Sequence, residues 1–127
     1  MRKAVVLLLI LAVLLCACSQ AKVTASAKAV SVGKQAVEAI DAYLDGSATS
    51  KETGDKLSEL ARQLSYTSDY AGTNMTDQQR SDWYIKTDID LAGHDIIMDN
   101  YNGTPETYDE IVKQRNEIAE LVGVDKR

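Results

Sequence analysis

Three aspartates in one segment are the residues of this chain whose spacing most readily suggests chemistry. Asp88, Asp95 and Asp99 fall within about 40° of one another when the segment is wound as an ideal α-helix. Carboxylates gathered in this way can bind a divalent cation or a small ligand, or basic side chains of a neighbouring helix can neutralise them. The basic residues that could do so are Lys56, Arg62, Lys113 and Arg115.

The same segment contains two further patterns, and both stop short of a metal site. Its spacing matches part of the EF-hand calcium loop, but the fifth position is Ala92, whose side chain has no oxygen. His94 lies four residues after Asp90, and the remaining ligands of a transition-metal site are not evident. We therefore predict no bound metal and no cofactor, and keep cation binding by the three aspartates as an alternative.

Groups that perform covalent or acid–base catalysis are scarce in this chain. No cysteine follows Cys18, His94 is the only histidine, and no serine has the sequence context of a hydrolase nucleophile. Pairs of carboxylates could serve a hydrolase only if a concave pocket brought at least two ionisable groups together. We predict that the protein is not an enzyme, and a minimal hydrolase is the remaining alternative.

The helix that carries the aspartates has two apolar sectors. The narrower one, which is the predicted core face, comprises Ile85, Ile89, Ala92 and Ile96. The second gathers Trp83, Tyr84, Leu91, Met98 and Tyr101. A helix with two such sectors is either the central helix of a bundle or one that leaves a face for a binding partner. The candidate partner face is Trp83, Tyr84, Leu91 and Met98.

The N-terminus has the organisation of an export signal. Arg2 and Lys3 precede an uninterrupted apolar run over residues 4–15. A run of this length is too short to span the roughly 30 Å hydrocarbon core of a bilayer as a helix. We therefore expect the protein to be exported across the membrane of the cell in which it is made.

The end of this run resembles the lipobox of bacterial lipoprotein precursors. Leu15 lies three residues before Cys18 and the small Ala17 directly before it, although Cys16 stands where Ser, Ala, Thr or Val is usual. The resemblance, which covers residues 1–20 only, implies a signal peptide over 1–17 and a diacylglycerol on Cys18. It also implies anchoring to the bacterial cell membrane or outer membrane. Secretion without a lipid anchor is the alternative.

Four helices must position the remaining residues. After a tether over 18–29, a helical domain over 30–127 is predicted, with helices at about 28–45, 49–65, 76–100 and 105–122. The third helix opens with a capping box of Thr76 and Gln79, and the fourth with Thr104 and Pro105. The predicted apolar positions of the other helices are Val30, Gly33, Val37, Ile40, Leu44, Leu57, Leu60, Ala61, Leu64, Tyr108, Ile111, Val112, Ile118, Leu121 and Val122.

Short connections between these helices favour an all-α fold, a small antiparallel bundle of three to four helices. A bundle of three packed helices with a peripheral first helix is the rival arrangement. The charge is −5, and removal of residues 1–17 leaves 12 basic against 19 acidic residues, a charge of −7. Such acidity disfavours nucleic acid as a partner. The leading expectation is a membrane-anchored helical interaction module that binds another envelope protein.

Overall fold

The fold is that of a computed structural model, which describes residues 24–64 and 74–127. The predicted signal peptide, Cys18, most of the tether and most of the loop at 66–75 lie outside the described residues. The side chains of Tyr101 and Asn102 also lie outside them.

Four α-helices form an all-α bundle, and residues 24–64 and 74–127 contain no β-strand. The helices are α1, Ala27–Leu44; α2, Ser50–Gln63; α3, Asp77–Asn102; and α4, Pro105–Val122. The predicted fold class is therefore confirmed, and the helix limits agree within two residues. Helix α1 begins at Ala27, one residue before the predicted start of the first helix.

A side-chain oxygen caps the N-terminus of every one of these helices. The caps are Ser26, Thr49, Thr76 and Thr104, each accepting a hydrogen bond from a backbone N–H of the first turn. The predicted capping box of Thr76 and Gln79 is present. A second box, formed by Thr49 and Glu52, was not predicted. These local signals explain why the helix starts can be located from sequence.

Neighbouring helices run antiparallel. Gly33, early in α1, packs against Val122 at the end of α4, and Asp41, late in α1, pairs with Arg115. The links over 45–49 and 103–104 are short enough to impose the same orientation on the pairs that they join. Helix α3 contacts each of the other three helices. Helix α1 does so as well, and the topology is up-down-up-down.

The core lies along the bundle axis and takes residues from all four helices. The α3 contribution is the predicted narrow sector, whose members are all 0% exposed: Ile85, Ile89, Ala92 and Ile96. Helix α1 buries Ala29, Val32, Ala36, Val37 and Ile40. The rival arrangement with a peripheral first helix is therefore wrong. Tyr108, predicted on the apolar side of α4, is instead 43% exposed, because it lies one turn before Ile111, the first buried residue of that helix.

Close approach of α1 and α4 depends on the absence of a side chain at residue 33. A Cβ atom added at Gly33 would lie 2.6 Å from Cγ1 of Val122, with Ile85 and Ile118 methyl groups at 3.3 and 3.4 Å. Carbon atoms normally pack about 3.5–4.0 Å apart. An alanine here would therefore push the two helices apart.

We expect Gly33→Ala to lower the free energy of unfolding by about 1–2 kcal/mol. Overpacking costs about 1–3 kcal/mol, which outweighs the roughly 1 kcal/mol that alanine gains over glycine in a helix. Urea denaturation measures the difference. Ser31→Ala, at an exposed position of the same helix, is the control and should change stability by less than about 0.5 kcal/mol. Stability of Gly33→Ala equal to or above that of the wild type would contradict the packing described.

Candidate functional site

The three aspartates of α3 do not converge on one site. Asp95 accepts a hydrogen bond from Nε2 of Gln114 on α4, at 2.7 Å. Asp99 accepts one from the hydroxyl of Tyr43 on α1. Asp88 lies about two helical turns before Asp95 and faces α4 beside Glu117. Each carboxylate thus has its own surroundings.

Gln114 and Tyr43, rather than the expected basic residues, donate hydrogen bonds to two of these carboxylates, and Nδ1 of His94 also lies 3.2 Å from Asp95. Arg115 turns to the other side of α4 and binds Asp41 with two hydrogen bonds, of 3.0 and 2.7 Å. Of the four basic candidates, Lys113 lies close enough to Asp88 for its positive charge to favour the ionised carboxylate. Within residues 24–64 and 74–127, no cluster of three or more His, Cys, Asp or Glu side chains could hold a metal ion.

Asp88 is the electrostatically strained member of the set. Burial and the negative charge of Glu117 raise the pKa of Asp88 to about 6, although the positive charge of Lys113 opposes the shift. At neutral pH most Asp88 side chains are therefore ionised in a position where the charge is poorly solvated. The arrangement favours any cation that can approach these two carboxylates.

A groove of about 350 Å³ lies between α3 and α4 at this point. The described residues that line it are Tyr84, Asp88, Glu117, Glu120 and Leu121. Tyr84 and Leu121 supply apolar walls, and the other three supply carboxylates. Chemically, such a groove suits a cationic group carried on an apolar stem. Its described lining contains no serine, cysteine or histidine, and its ionisable groups are the three carboxylates and the Tyr84 hydroxyl.

The Tyr84 wall of the groove is held by its neighbour in sequence. The rings of Trp83 and Tyr84 lie 5.1 Å apart between centroids and are inclined by 65°. This edge-to-face geometry is favourable by about 0.5–1.5 kcal/mol. Trp83 is partly buried, so it acts as a support for Tyr84 rather than as an exposed contact.

Exposed apolar side chains continue from the groove along α3. Tyr84, Leu91 and Met98, which we call the α3 row, are 46%, 47% and 41% exposed. They are seven residues apart, so they lie almost on one line that extends about 21 Å along the helix. Three of the four residues of the predicted partner face thus lie together at the surface.

The other exposed large apolar residues of the described chain lie off this line. Ile97 covers Gly54 of α2, where an added Cβ would meet its side chain at 3.0 Å, and Tyr108 belongs to α4. The row is therefore a distinct feature of α3 rather than part of a uniformly apolar surface.

The residues that α4 contributes to the groove were not predicted from the sequence. Glu117 and Leu121 are four residues apart and so share one side of α4. The short link at 103–104 places residues at similar distances from it opposite one another, which brings Glu117 to Asp88 and Leu121 to Tyr84. Because this short link was predicted, the alignment of α3 with α4 could have indicated these neighbours from the sequence.

Comparison with known proteins gives no match: no family model, no curated protein and no solved structure is significantly similar to this chain. Among the described residues, none of the helices combines the length and the apolar character needed to cross a bilayer. The function of the protein is therefore inferred from the residues and geometry of the chain itself.

Replacement of Asp88 by asparagine should stabilise the fold in a pH-dependent way. The pKa of Asp88 is raised in the folded state, so its ionisation destabilises the fold above about pH 6, and the penalty disappears as the pH falls towards 3.8. The shift corresponds to at most about 3 kcal/mol, which solvent beside this partly exposed group reduces to about 1 kcal/mol. We expect that gain for Asp88→Asn at pH 8 and none at pH 4, measured by urea denaturation.

Asp90→Asn is the matched control for this experiment. Asp90 is exposed on the same helix and forms an ion pair with Lys86 at 2.9 Å, so its replacement removes a weakly favourable contact. It should give no stabilisation at either pH. An equal gain from both variants would mean that the general acidity of α3 determines the effect, and not the burial of Asp88 beside the Glu117 carboxylate.

Proposed function

We propose that the protein is an exported bacterial lipoprotein, held at a membrane by lipid on Cys18, that acts as a small helical interaction module of the cell envelope. The observation that carries the interaction role is the α3 row beside the acidic groove, on a bundle whose core is already filled. The anchor is supported by residues 1–17, in which basic residues precede an apolar run as in a signal peptide. It is also supported by the lipobox pattern that ends at Cys18.

The spacing of the row supports docking of another protein element. Single exposed apolar residues are common on protein surfaces and need no explanation. A repeat of seven residues, however, places apolar side chains along one line of the helix, which is one of the two positions that each heptad of a helix–helix contact uses. Because the isoleucines of α3 fill the core, the row is available for contact outside the monomer.

The point at which the chain enters the bundle supports a position close to the membrane. Oγ1 of Thr24 and Oγ of Ser81 are 2.6 Å apart, and the backbone N–H of Ser26 donates to Asp82 at 2.8 Å. The start of α1 therefore lies beside the start of α3, the end that carries Tyr84. An extended chain from residue 18 to residue 24 reaches about 20 Å at most, so a lipid on Cys18 would keep the bundle near the bilayer surface.

The alternative role, binding of a divalent cation by Asp88, Asp95 and Asp99, has no supporting arrangement in the described part of the chain. Two of these carboxylates already accept hydrogen bonds from Gln114 and Tyr43. The carboxylates of the groove adjoin the exposed apolar row, and this combination favours binding of a partner that carries a cationic group. We therefore propose a binding role rather than an enzymatic one.

Cys18→Ser should abolish membrane anchoring, because serine has no thiol to accept the diacylglycerol. We expect the wild-type protein to be in the membrane fraction with a mass increased by lipid on an N-terminal Cys18. The variant should lack this mass and leave the membrane fraction. Cys16→Ser is the matched control and should stay anchored, since serine is usual at that position of a lipobox. Unchanged maturation and membrane binding of Cys18→Ser would end the lipoprotein proposal.

A photo-crosslinking amino acid at position 91 tests whether the row is an interaction surface. In cells that make the protein, we expect light to produce a discrete larger species from position 91. The control is the same amino acid at Glu59, an exposed position on α2, which should give little of that species. Equal products from both positions, or none from position 91, would remove the basis for an interaction role of α3.

A further inference from the structure

We propose that the α3 row and the adjoining groove, together the docking surface, bind a basic amphipathic helix of a partner protein. The inference deepens the proposed function, on which it rests, by specifying the class of partner. Three properties of the docking surface lead to it: the linear order of the row, the composition of the groove and the charge around both.

The row has the dimensions and the order of a helix contact. From Tyr84 to Met98 it extends about 21 Å, which is about four helical turns. Residues spaced by seven drift about 20° per repeat around a straight helix. A partner helix that follows this drift crosses α3 at about 20°, the geometry in which the ridges of two helices interlock. An extended strand would instead need unpaired backbone groups, which a helical surface does not provide.

The groove fits one long basic side chain from such a helix. A lysine or arginine stem would pack between Tyr84 and Leu121, and its cationic head would reach Asp88 and Glu117. Glu117 forms no ion pair with any residue that the structure describes. Glu120 at the rim is bound by Lys126 at 2.6 Å. Two carboxylates are therefore left for a cation supplied from outside.

Two basic side chains of α3 and α4 are already engaged with acids of their own helices. Lys113 lies 3.3 Å from Glu110, and Arg80 lies 3.8 Å from Asp77. The Lys113 charge reaches Asp88 but leaves its pKa raised. The docking surface is thus apolar along its length and acidic at the Tyr84 end.

This charge distribution argues against a second copy of the chain as the occupant. The protein has a net charge of −5, and two docking surfaces face to face would carry the same acidic character. Like charges brought together at an interface disfavour the complex. A basic helix has the opposite sign and would neutralise the groove.

The test uses the purified full chain and a synthetic helical peptide of about 18 residues, with leucines along one face and lysines beside them. A matched peptide carries glutamates in place of the lysines, and neither contains tryptophan. Trp83 is the only tryptophan of the protein and lies against Tyr84, so its fluorescence reports occupation of the docking surface directly. We expect saturable binding of the lysine peptide and at least about tenfold weaker binding of the glutamate peptide.

Variants assign the binding to this surface. Leu91→Asp places a charge in the middle of the row without touching the core and should weaken binding by about tenfold or more. Glu117→Gln should weaken it about threefold to tenfold and reduce its dependence on salt. Glu59→Gln, on the exposed side of α2, removes the same charge elsewhere and should leave affinity unchanged.

The outcomes separate this inference from the proposed function. If position 91 crosslinks in cells but the two peptides bind equally or not at all, the basic helix is wrong while the interaction role survives. If neither is observed, both fail. Dimerisation that Leu91→Asp abolishes would identify a second copy as the occupant. Binding of the full chain to vesicles of anionic phospholipid through Leu91 would identify a lipid surface, and either result would overturn the inference.

Discussion

The buried isoleucine face of α3 is the constraint on which the outer surface of the protein depends. Ile85, Ile89 and Ile96 are completely buried, and burial of each side chain contributes about 2–3 kcal/mol. Because α3 contacts all three other helices, it cannot turn about its axis without withdrawing these side chains from the core. The residues of the α3 row lie about 100–140° around the helix axis from Ile85, so they point outward. The exposure of the α3 row therefore follows from the packing of the core.

The aspartates occupy the border between these two faces, where a helix meets its neighbours and still reaches water. Asp95 and Asp99 are tolerated there because Gln114 and Tyr43 donate hydrogen bonds to them. Burial and the Asp99 carboxylate raise the pKa of Tyr43 to about 12, so the donating hydroxyl keeps its proton. An acidic stripe at a helix border thus need not be a ligand site.

The elements were predictable because their signals are local, whereas most contacts of the site were not. A cap such as Thr76 or Thr104 lies within three residues of the group that it satisfies. By contrast, Asp41 and Arg115 are 74 residues apart. Their pairing depends on how α1 and α4 are rotated in the bundle, which periodicity does not specify. The row could be predicted because it lies on one helix, but the groove could not, since half of it comes from α4.

The proposed docking would connect folding stability with binding at the groove. An apolar residue at position 117 would remove the carboxylate whose charge adds to burial in raising the pKa of Asp88. The chain instead retains two carboxylates that are most unfavourable when both are ionised. A cation docked between them stabilises that doubly ionised state and must lower the pKa of Asp88. By linkage, docking near pH 6 then releases protons, and the charge that destabilises the free bundle becomes a source of affinity in the complex.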